Sequence, residues 1–565
     1  MRRHGHSRFA QILKGVLIAA VGVALFLGAV DRPTPAAPSD RQVHIAFGFH
    51  VNLYHSFRND TNDESGFGKD IRVIRHIIAT LDRCNAQGVP VKAVWDFDNL
   101  FSLQEILPRY APDIITDIRR RVQESGDEVI LMSYNNGLVS AMTAQELTDA
   151  MRWAVTNPWQ SGVQDLFGTY SPIVRPQEMM TTPGNFAIYK QQGIQAVALY
   201  YSSTPFDAFR LFSRPLTMAE AHNPILYQNP QTKEEMVVIP TYHIGDLVEH
   251  VSLRNWVETL RKHQVEGQLA HDALIFINYD ADSELWSGID LPWPLQWLPN
   301  TGGIGALIDE VRHLPNVRFT TLKEYLAGHP PVGRFYFSQD TADGSFNGYN
   351  SWAEKADAPR HWTLIERSRR VRAAALKAAD LLDHPPEFAA MENLIAVSDM
   401  MRLRALSTTH FGMATPFVAR DREQAMTDLM NDLERGSDAI EEGIAALLRE
   451  RLARQPRPVA ADASLVWLDS LMVLSIDAET TSGARFLKLH RPAGYQAGMT
   501  LVLIGADGRR LPVITVGGGE KDSNTSQLAL FIEGPETLGD GCYHLYAHTR
   551  SVPPQDPRLR ADAQG

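Results

Sequence analysis

Seven short apolar runs, separated by longer segments with helical spacing, constrain the fold of residues 43–320 more than any other feature. The runs lack the alternation of half-exposed strands, which is typical of strands buried on both faces of a parallel sheet. They are Val43–Phe49, Pro90–Phe97, Glu128–Met132, Gln195–Tyr200, Met236–Pro240, Ala273–Asn278 and Val317–Thr320. Strands that alternate with helices predict an α/β fold. We expect a (β/α)7 incomplete TIM-like barrel, and an open doubly wound sheet remains the alternative.

The sequence changes character twice after this region. Segments 367–383, 389–404 and 422–451 have helical periodicity and little Gly or Pro, which predicts a helical bundle. Beyond Gln455–Pro458, short β-prone runs between turn residues predict an all-β module. The predicted domains are an N-terminal signal or anchor with its linker (1–40), the barrel (41–335), a helical bundle (336–456) and a C-terminal β-sandwich-like domain (457–565).

The first forty residues have the order of an export segment. Arg2, Arg3, Arg8 and Lys14 precede an uncharged run at 15–30, and a linker containing Pro and Ala follows. Cleaved signal peptides and uncleaved anchors share this order. Because no small-x-small cleavage site follows the run directly, we expect an N-terminal transmembrane helix with an exported body. The membrane is then a partner, and secretion after cleavage is the alternative.

The charge balance argues against nucleic acid as a partner. The chain has 54 Lys+Arg against 66 Asp+Glu, a net charge of −12, whereas nucleic-acid binding needs clustered basic charge. The two cysteines, Cys84 and Cys542, cannot build a disulfide framework or a cysteine-based zinc site. We therefore expect no nucleic-acid partner and look for function in the polar residues at the strand ends.

Polar and aromatic side chains follow the first two predicted strands, where a β/α barrel holds its functional residues. His50 and Asn52 follow the first strand and can ligate a metal or bind sugar hydroxyls, although a histidine satisfied by backbone hydrogen bonds is equally compatible. Trp95, Asp96 and Asp98 end the second strand. An aromatic ring beside carboxylates suits a sugar, whose apolar face stacks on the ring while its hydroxyls take polar partners. These residues are candidate substrate ligands.

Two further segments extend this candidate site. Asn135 and Asn136 follow the third strand and are candidate substrate ligands, although an Asn-Gly turn also explains them. Glu178 stands at a predicted strand-to-helix turn with Arg175 close by, and the positive charge would keep the carboxylate ionised. Glu178 is therefore a candidate catalytic residue, and Arg175 a candidate substrate ligand.

The exit of the sixth predicted strand carries three alternating carboxylates, Asp280, Asp282 and Glu284. Because like charges repel, one of them should hold its proton and be able to act as an acid. A helix cap or a structural cation would also explain them. The nearby Trp286 and Trp293 favour a carbohydrate site. Paired carboxylates, one a nucleophile and one an acid/base, are what retaining glycoside hydrolysis requires.

The order of these segments resembles glycoside hydrolase families 38 and 57, whose catalytic domain is a seven-stranded β/α barrel. The resemblance spans residues 43–450, with short motifs in the same order. The motifs are His50–Asn52, Gly126–Ile130 with Gly137, Arg175–Glu178, Asp280–Trp286 and Thr320–Leu326. The resemblance implies a carbohydrate-cleaving enzyme in which Glu178 is the nucleophile and Asp282, or Asp280, is the acid/base.

The helical region is similar to the α-mannosidases of family 38. Phe346–Ser351 resembles the segment that leads into their three-helix bundle, and Leu406–Thr415 resembles the bundle loop that returns a histidine to the active site. Those enzymes bind zinc through a His and an Asp of the first-strand motif, the nucleophile Asp and the bundle His. The resemblance therefore implies one divalent metal, Zn²⁺. Its ligands would be His50, Asn52, Glu178 and His410, with Asn and Glu standing where the family has Asp.

Two other functions stay open beside the predicted α-mannosidase-like hydrolase. A metal-dependent polysaccharide deacetylase has a related barrel but needs an Asp and two His, usually spaced His-x-x-x-His. His50 and His55 do not have that spacing. The third function is a non-catalytic carbohydrate-binding or cell-envelope protein with a decayed hydrolase barrel, which the changed mannosidase positions support.

Overall fold

The computed structural model describes most of the chain. The described residues are 40–53, 68–179, 181–200, 216–288, 300–337, 358–407, 420–455, 463–474, 486–496, 498–515, 527–532 and 538–549.

The described residues between 43 and 335 form ten strands. They are β1 (Val43–Val51), β2 (Ala93–Phe97), β3 (Glu128–Val129), β4 (Ile173–Val174), β5 (Ala196–Tyr200), β6 (Ile225–Gln228), β7 (Glu235–Thr241), β8 (Ala273–Asp280), β9 (Val317–Phe319) and β10 (Arg334–Phe335). One sheet has the order β3-β2-β1-β8, and a second has the order β10-β6-β7-β5-β4. Single parallel bridges join Leu131 to Val174 and Tyr242 to Ile277. The pairing therefore runs β1-β2-β3-β4-β5-β7-β8 and returns to β1.

The α/β class with a parallel sheet is confirmed, but the strand membership differs from the prediction. The short strand β4 is missing from the seven predicted runs, because two residues carry no periodicity, although a strand-to-helix turn was expected at Glu178. The predicted seventh strand, β9, pairs only with the first three residues of β1. Two strands outside the ring, β6 and β10, extend the second sheet, and β6 is antiparallel to β7.

Small and aliphatic side chains fill the inside of the ring, among them Ala46, Val94 and Ile130. Helices cover the outside and bury the opposite faces of the strands. The helices are α1 (Gly68–Ala86), α2 (Pro112–Glu124), α3 (Ala144–Val155), α4 (Pro183–Gln191), α5 (Leu253–Val265), α6 (Gly303–Val311) and α7 (Leu322–Gly328). Shorter helices lie at Leu107–Tyr110, Val163–Phe167, Met218–Ala221 and Glu284–Ser287, and a π-helix lies at Asn99–Ile106.

Three long helices and an antiparallel sheet follow. The helices are α8 (Ala358–Leu381), α9 (Phe388–Ala405) and α10 (Arg420–Arg454). The strands are β11 (Leu465–Val473), β12 (Phe486–His490), β13 (Leu501–Gly505), β14 (Arg510–Thr515), β15 (Gln527–Ile532) and β16 (Gly541–His548), in the order β11-β16-β13-β14-β15-β12. The helical region and the β module were both expected from the sequence, and the exact domain boundaries remain predictions.

The predicted transmembrane anchor and the membrane-anchored location that depended on it are contradicted. In the described ranges of the chain, no helix combines the length and the apolar composition that a membrane span needs. The apolar run at 15–30, on which the prediction was based, lies outside those ranges.

Candidate active site

A layer of polar side chains lies above the apolar filling, at the C-terminal end of the ring. The register places His50 of β1 between Asp96 of β2 and Asp280 of β8. Because side chains alternate along a strand, His50 faces the same side as Ala46, which lies in the apolar filling. By the same alternation, Asp96 of β2 faces the same side as Val94, which also lies in the apolar filling. The polar groups at these strand ends therefore meet at one end of the ring.

His50 and Asp96 form the buried base of this layer. The Nδ1 atom of His50 lies 2.6 Å from Oδ1 of Asp96, and 1% and 0% of the two residues are exposed. Because the carboxylate accepts the Nδ1 proton, the neutral ring presents the Nε2 lone pair. Within the described part of the chain, the buried Nε2 atom has no hydrogen-bond partner. His50 therefore offers one fixed acceptor atom at this end of the ring.

Asn278 of β8 holds the second oxygen of the same carboxylate. Its Nδ2 atom donates to Oδ2 of Asp96 at 2.8 Å. The amide crosses β1 where Gly48 has no side chain, since a Cβ there would lie 2.5 Å from Nδ2 of Asn278 and 2.8 Å from Cε2 of Phe276. Gly48 therefore leaves the space through which β8 contacts Asp96.

Arg175, directly after β4, continues this path. Its Nε atom donates to Oδ1 of Asn278 at 3.2 Å and lies 4.0 Å from Oδ1 of Asp96. Burial alone would lower the pKa of the guanidinium, but the charge of Asp96 raises the pKa above its ordinary value. Asp280 and Glu178 contribute to the same rise. One buried cation therefore interacts with carboxylates from β2, β8 and the turn after β4.

The path ends at Glu178. Arg175 donates from Nη1 to Oε1 of Gln177 at 3.2 Å, and Nε2 of Gln177 donates to Oε1 of Glu178 at 2.9 Å. Glu178 and Met179 lie in the 3₁₀ turn Gln177–Met179, with φ of 54° and 51°. Such positive values are uncommon for residues other than glycine and are often found at functional sites. Glu178 thus occupies the predicted turn between β4 and α4, half-buried, in a backbone conformation that the sequence did not predict.

The three carboxylates at the end of β8 and just after it differ in their ion pairing and in their exposure. Glu284 pairs with Lys69 of α1, which neutralises its charge. Asp280 ends β8 half-buried, and Asp282 is buried with 2% exposure. Asp280 and Asp282 are therefore the members of the predicted trio that remain candidates for acid/base chemistry.

Both described tryptophans of the predicted sugar platform are packing residues. Trp95 is fully buried, packs 5.0 Å from Phe49 between ring centroids, and donates from Nε1 to Oδ2 of Asp127 at 2.9 Å. Trp286 is also fully buried and lies 4.9 Å from Phe49. Neither ring has an exposed face on which a sugar could stack. Trp293 lies outside the described residues.

The remaining polar candidates hold local structure. Asp98 caps the π-helix by accepting from the backbone N–H of Phe101 at 3.3 Å. Asn52 accepts from Nδ2 of Asn136 at 3.0 Å, which connects the ends of β1 and β3. Asn135 donates from Nδ2 to the carbonyl oxygen of Leu403 at 2.7 Å and so connects the barrel to α9.

The predicted zinc set, of which His50, Asn52 and Glu178 are described, stays a prediction. The Oδ1 atom of Asn52 and the Oε1 atom of Glu178 are engaged by neighbouring amides, while His50 alone offers a bare atom. In the described ranges, this end of the ring has no three His, Cys, Asp or Glu ligand atoms close enough to share an ion. His410 lies outside the described residues.

Three residues of the site were missed by sequence reasoning. Asn278 lies two positions before Asp280 on a predicted strand, so strand alternation could have placed both side chains on one face. Gln177 was inside a quoted motif without a role. Gly48 carries no signal in a single sequence, because its contribution is the space it leaves.

Comparison with known proteins gives no assignment to a family. No family model matches the chain, and no curated protein matches it. Among solved structures, the chain is similar to the GH57-type branching enzyme of Pyrococcus horikoshii, with 11% identity, a TM-score of 0.48, and coverage of 73% of this chain and 92% of that one. It is also similar to the 4-α-glucanotransferase of Thermococcus litoralis, with 13% identity, a TM-score of 0.44, and coverage of 70% and 60%.

An α-mannosidase from Enterococcus faecalis is similar over 91% of this chain and 55% of its own length, with 10% identity and a TM-score of 0.45. The chain thus spans less than two thirds of the glucanotransferase and of the mannosidase.

Proposed function

We propose that this protein is a retaining glycoside hydrolase that acts on an oligo- or polysaccharide, with α-mannosides as the first substrates to test. The observation that carries the proposal is the hydrogen-bonded path from His50 through Asp96, Asn278, Arg175 and Gln177 to Glu178. This path and the influence of Asp280 on Arg175 support a site with carboxylates from two sides of the ring.

In the proposed reaction, Glu178 attacks the anomeric carbon. Asp282, or Asp280, donates a proton to the leaving oxygen and then accepts a proton from the water that releases the sugar. The positive charge of Arg175 favours the ionised form of Glu178 that the attack needs. A mechanism that retains the anomeric configuration requires the carboxyl groups of the nucleophile and of the acid/base to lie about 5–5.5 Å apart.

His50 has a binding role in this proposal. Its Nε2 lone pair accepts a hydrogen bond from a sugar hydroxyl, and Asp96 fixes the ring for that contact. Asn278 and Arg175 position Asp96 and do not themselves react. The path therefore orients a substrate-binding atom and the nucleophile together.

The test compares Glu178→Gln, Asp280→Asn and Asp282→Asn with wild type on a panel of aryl glycosides. Glu284→Gln is the matched control, because Glu284 belongs to the same segment but is paired with Lys69. We expect turnover to fall to background in Glu178→Gln and by about 10²–10⁴-fold in the acid/base variant. Release of acetate from acetylated glycans without release of sugar would contradict the proposal and indicate a deacetylase.

A further inference from the structure

A second cluster of ligating side chains lies at the opposite, N-terminal end of the ring. His44 is the second residue of β1, Asp272 directly precedes β8, and His329 directly follows α7. One ligand atom from each lies within 4.8 Å of the others. The three residues are far apart in the sequence, and the proposed hydrolase reaction uses none of them.

The orientation of His329 brings two hydrogen-bond acceptor atoms close together. Its Nδ1 atom lies 2.8 Å from the carbonyl oxygen of Tyr325, and the two rings stack with centroids 3.9 Å apart. Because Nδ1–H must donate to that carbonyl, the neutral ring presents its Nε2 lone pair, which lies 3.0 Å from Oδ2 of Asp272. Two acceptor atoms at that distance need a cation, either a proton on the ring or a metal ion.

His44 directs a second nitrogen at the same oxygen. Its Nε2 atom lies 3.7 Å from Oδ2 of Asp272 and, in the described part of the chain, has no hydrogen-bond partner. Neutral imidazole is the form that binds metals. The other carboxylate oxygen, Oδ1, accepts from the backbone N–H of Gln42 at 3.0 Å, which fixes the orientation of Asp272.

We propose that His44, Asp272 and His329 bind one divalent cation of the Zn²⁺ class. Zinc bonds of about 2.0–2.1 Å in a tetrahedron place neighbouring ligand atoms about 3.3 Å apart. The observed separations of 3.0 and 3.7 Å bracket this value. The hydrogen bond from His329 to the Tyr325 carbonyl is the outer-shell contact that commonly fixes a histidine ligand.

The ion stabilises the fold at this position. It joins the start of β1, the segment before β8 and the end of α7, and residues at this end of a β/α barrel serve stability more than catalysis. A cavity of about 630 Å³ adjoins the cluster, and Arg41 and Arg318 line it as well. Because two arginines line this cavity, an anionic ligand such as hydroxide is favoured over neutral water to complete the coordination.

The test measures zinc bound to the full-length protein after removal of any affinity tag, stripping with a chelator and addition of Zn²⁺. We expect bound zinc to fall by one equivalent in His329→Gln and in Asp272→Asn. His271→Gln is the matched control, since His271 is exposed and adjacent to Asp272 but outside the cluster. We also expect His50→Gln to keep this equivalent of bound zinc, because His50 lies at the opposite end of the ring.

A second measurement keeps the proposal testable where a variant does not fold. Zn²⁺ added to the stripped wild-type protein raises the midpoint of thermal unfolding, and Co²⁺ gives the visible absorption of a four-coordinate site. Zinc content equal in wild type and His329→Gln would overturn the proposal. An unchanged unfolding midpoint together with no Co²⁺ absorption would overturn it as well.

Discussion

The Nδ1 atom of His50 and the Oδ1 atom of Asp96 lie 2.6 Å apart between the ends of two neighbouring parallel strands. The pair is buried, and both oxygens of the carboxylate are engaged, one by His50 and one by Asn278. The side chain of Asp96 therefore fixes the orientation of His50 and connects it to the residues that lead to Glu178.

Asp96→Asn tests that positioning role. An amide has one acceptor oxygen, so either His50 or Asn278 loses its acceptor and leaves a buried donor unpaired. We expect the free energy of unfolding to fall by about 1–3 kcal/mol. The variant also no longer fixes the orientation of the His50 ring. We therefore expect kcat/KM to fall by more than the decrease in the folded fraction of the protein. Full activity in the folded fraction would contradict a positioning role.

Gly48→Ala tests the path by which Asn278 reaches Asp96. The added Cβ would lie 2.5 Å from Nδ2 of Asn278, so the amide must move. We expect a loss of about 1–3 kcal/mol in denaturant unfolding, the usual cost of overpacking. Turnover should fall together with stability. Gly88→Ala is a poor comparison because its φ is positive, whereas Gly328→Ala adds a Cβ with no neighbour within 4 Å and is the appropriate control.

Trp95→Phe tests whether this ring binds sugar or only packs. The change removes the hydrogen bond from Nε1 to Asp127 and leaves part of the volume empty. We expect the free energy of unfolding to fall by about 1–3 kcal/mol while KM for glycans stays unchanged. A tenfold rise in KM with unchanged stability would show that Trp95 is a sugar platform after all.

Glu146 of α3 joins the barrel to the helical region. Its Oε1 atom accepts from Nε of Arg369 at 2.9 Å and from Nε of Arg402 at 2.6 Å. Glu146→Gln leaves Arg402 with Asp399 as its remaining carboxylate partner, and we expect a cost of about 1–3 kcal/mol in chemical unfolding. Glu366→Gln removes an exposed partner of Arg369 and should cost less than about 1 kcal/mol. Equal costs for the two variants would contradict this account.

The same carboxylate predicts a pH dependence. Burial alone would raise the pKa of Glu146, but hydrogen bonds and charges from Arg369 and Arg402 lower it below its ordinary value. A lowered folded-state pKa contributes stability that is fully present above the unfolded-state pKa and is lost as the pH falls through the folded-state pKa. Wild type should therefore lose stability more steeply than Glu146→Gln on acidification below about pH 4.3. Parallel curves would contradict the prediction.

Much of the fold could be predicted, because the burial of a strand or of a helix face determines which residue types it contains. Strands buried on both faces must be apolar, so β1 and β8 stand out in the sequence, and the stripe of α1 from Ile71 to Leu81 is buried as its spacing indicates. β4 could not be found in this way, because two residues show no period. The transmembrane prediction rested on the basic residues, the apolar run, the linker and the missing cleavage site of the first forty residues, and it is contradicted by the described helices.

The site was predictable only in part, because residue type does not reveal burial. Glu178 lies at the predicted turn, whereas the structure buries Trp95 against Asp127 and uses Asp98 to cap a helix, and their binding roles stay predictions. Local sequence gives no means of distinguishing an exposed tryptophan from a buried one. The cluster of His44, Asp272 and His329 could not be predicted either, since only the closed ring of strands brings the three together.

The most direct test of the account is the turnover of α-mannosides and other aryl glycosides by Glu178→Gln, measured beside Glu284→Gln and wild type. The account predicts hydrolysis by wild type and by Glu284→Gln, and background turnover by a folded Glu178→Gln. Sugar release by Glu178→Gln at the wild-type rate would contradict Glu178 as the nucleophile. The absence of hydrolysis by wild type across the panel, with glycan binding unaffected by Glu178→Gln, would contradict the proposed hydrolase function itself.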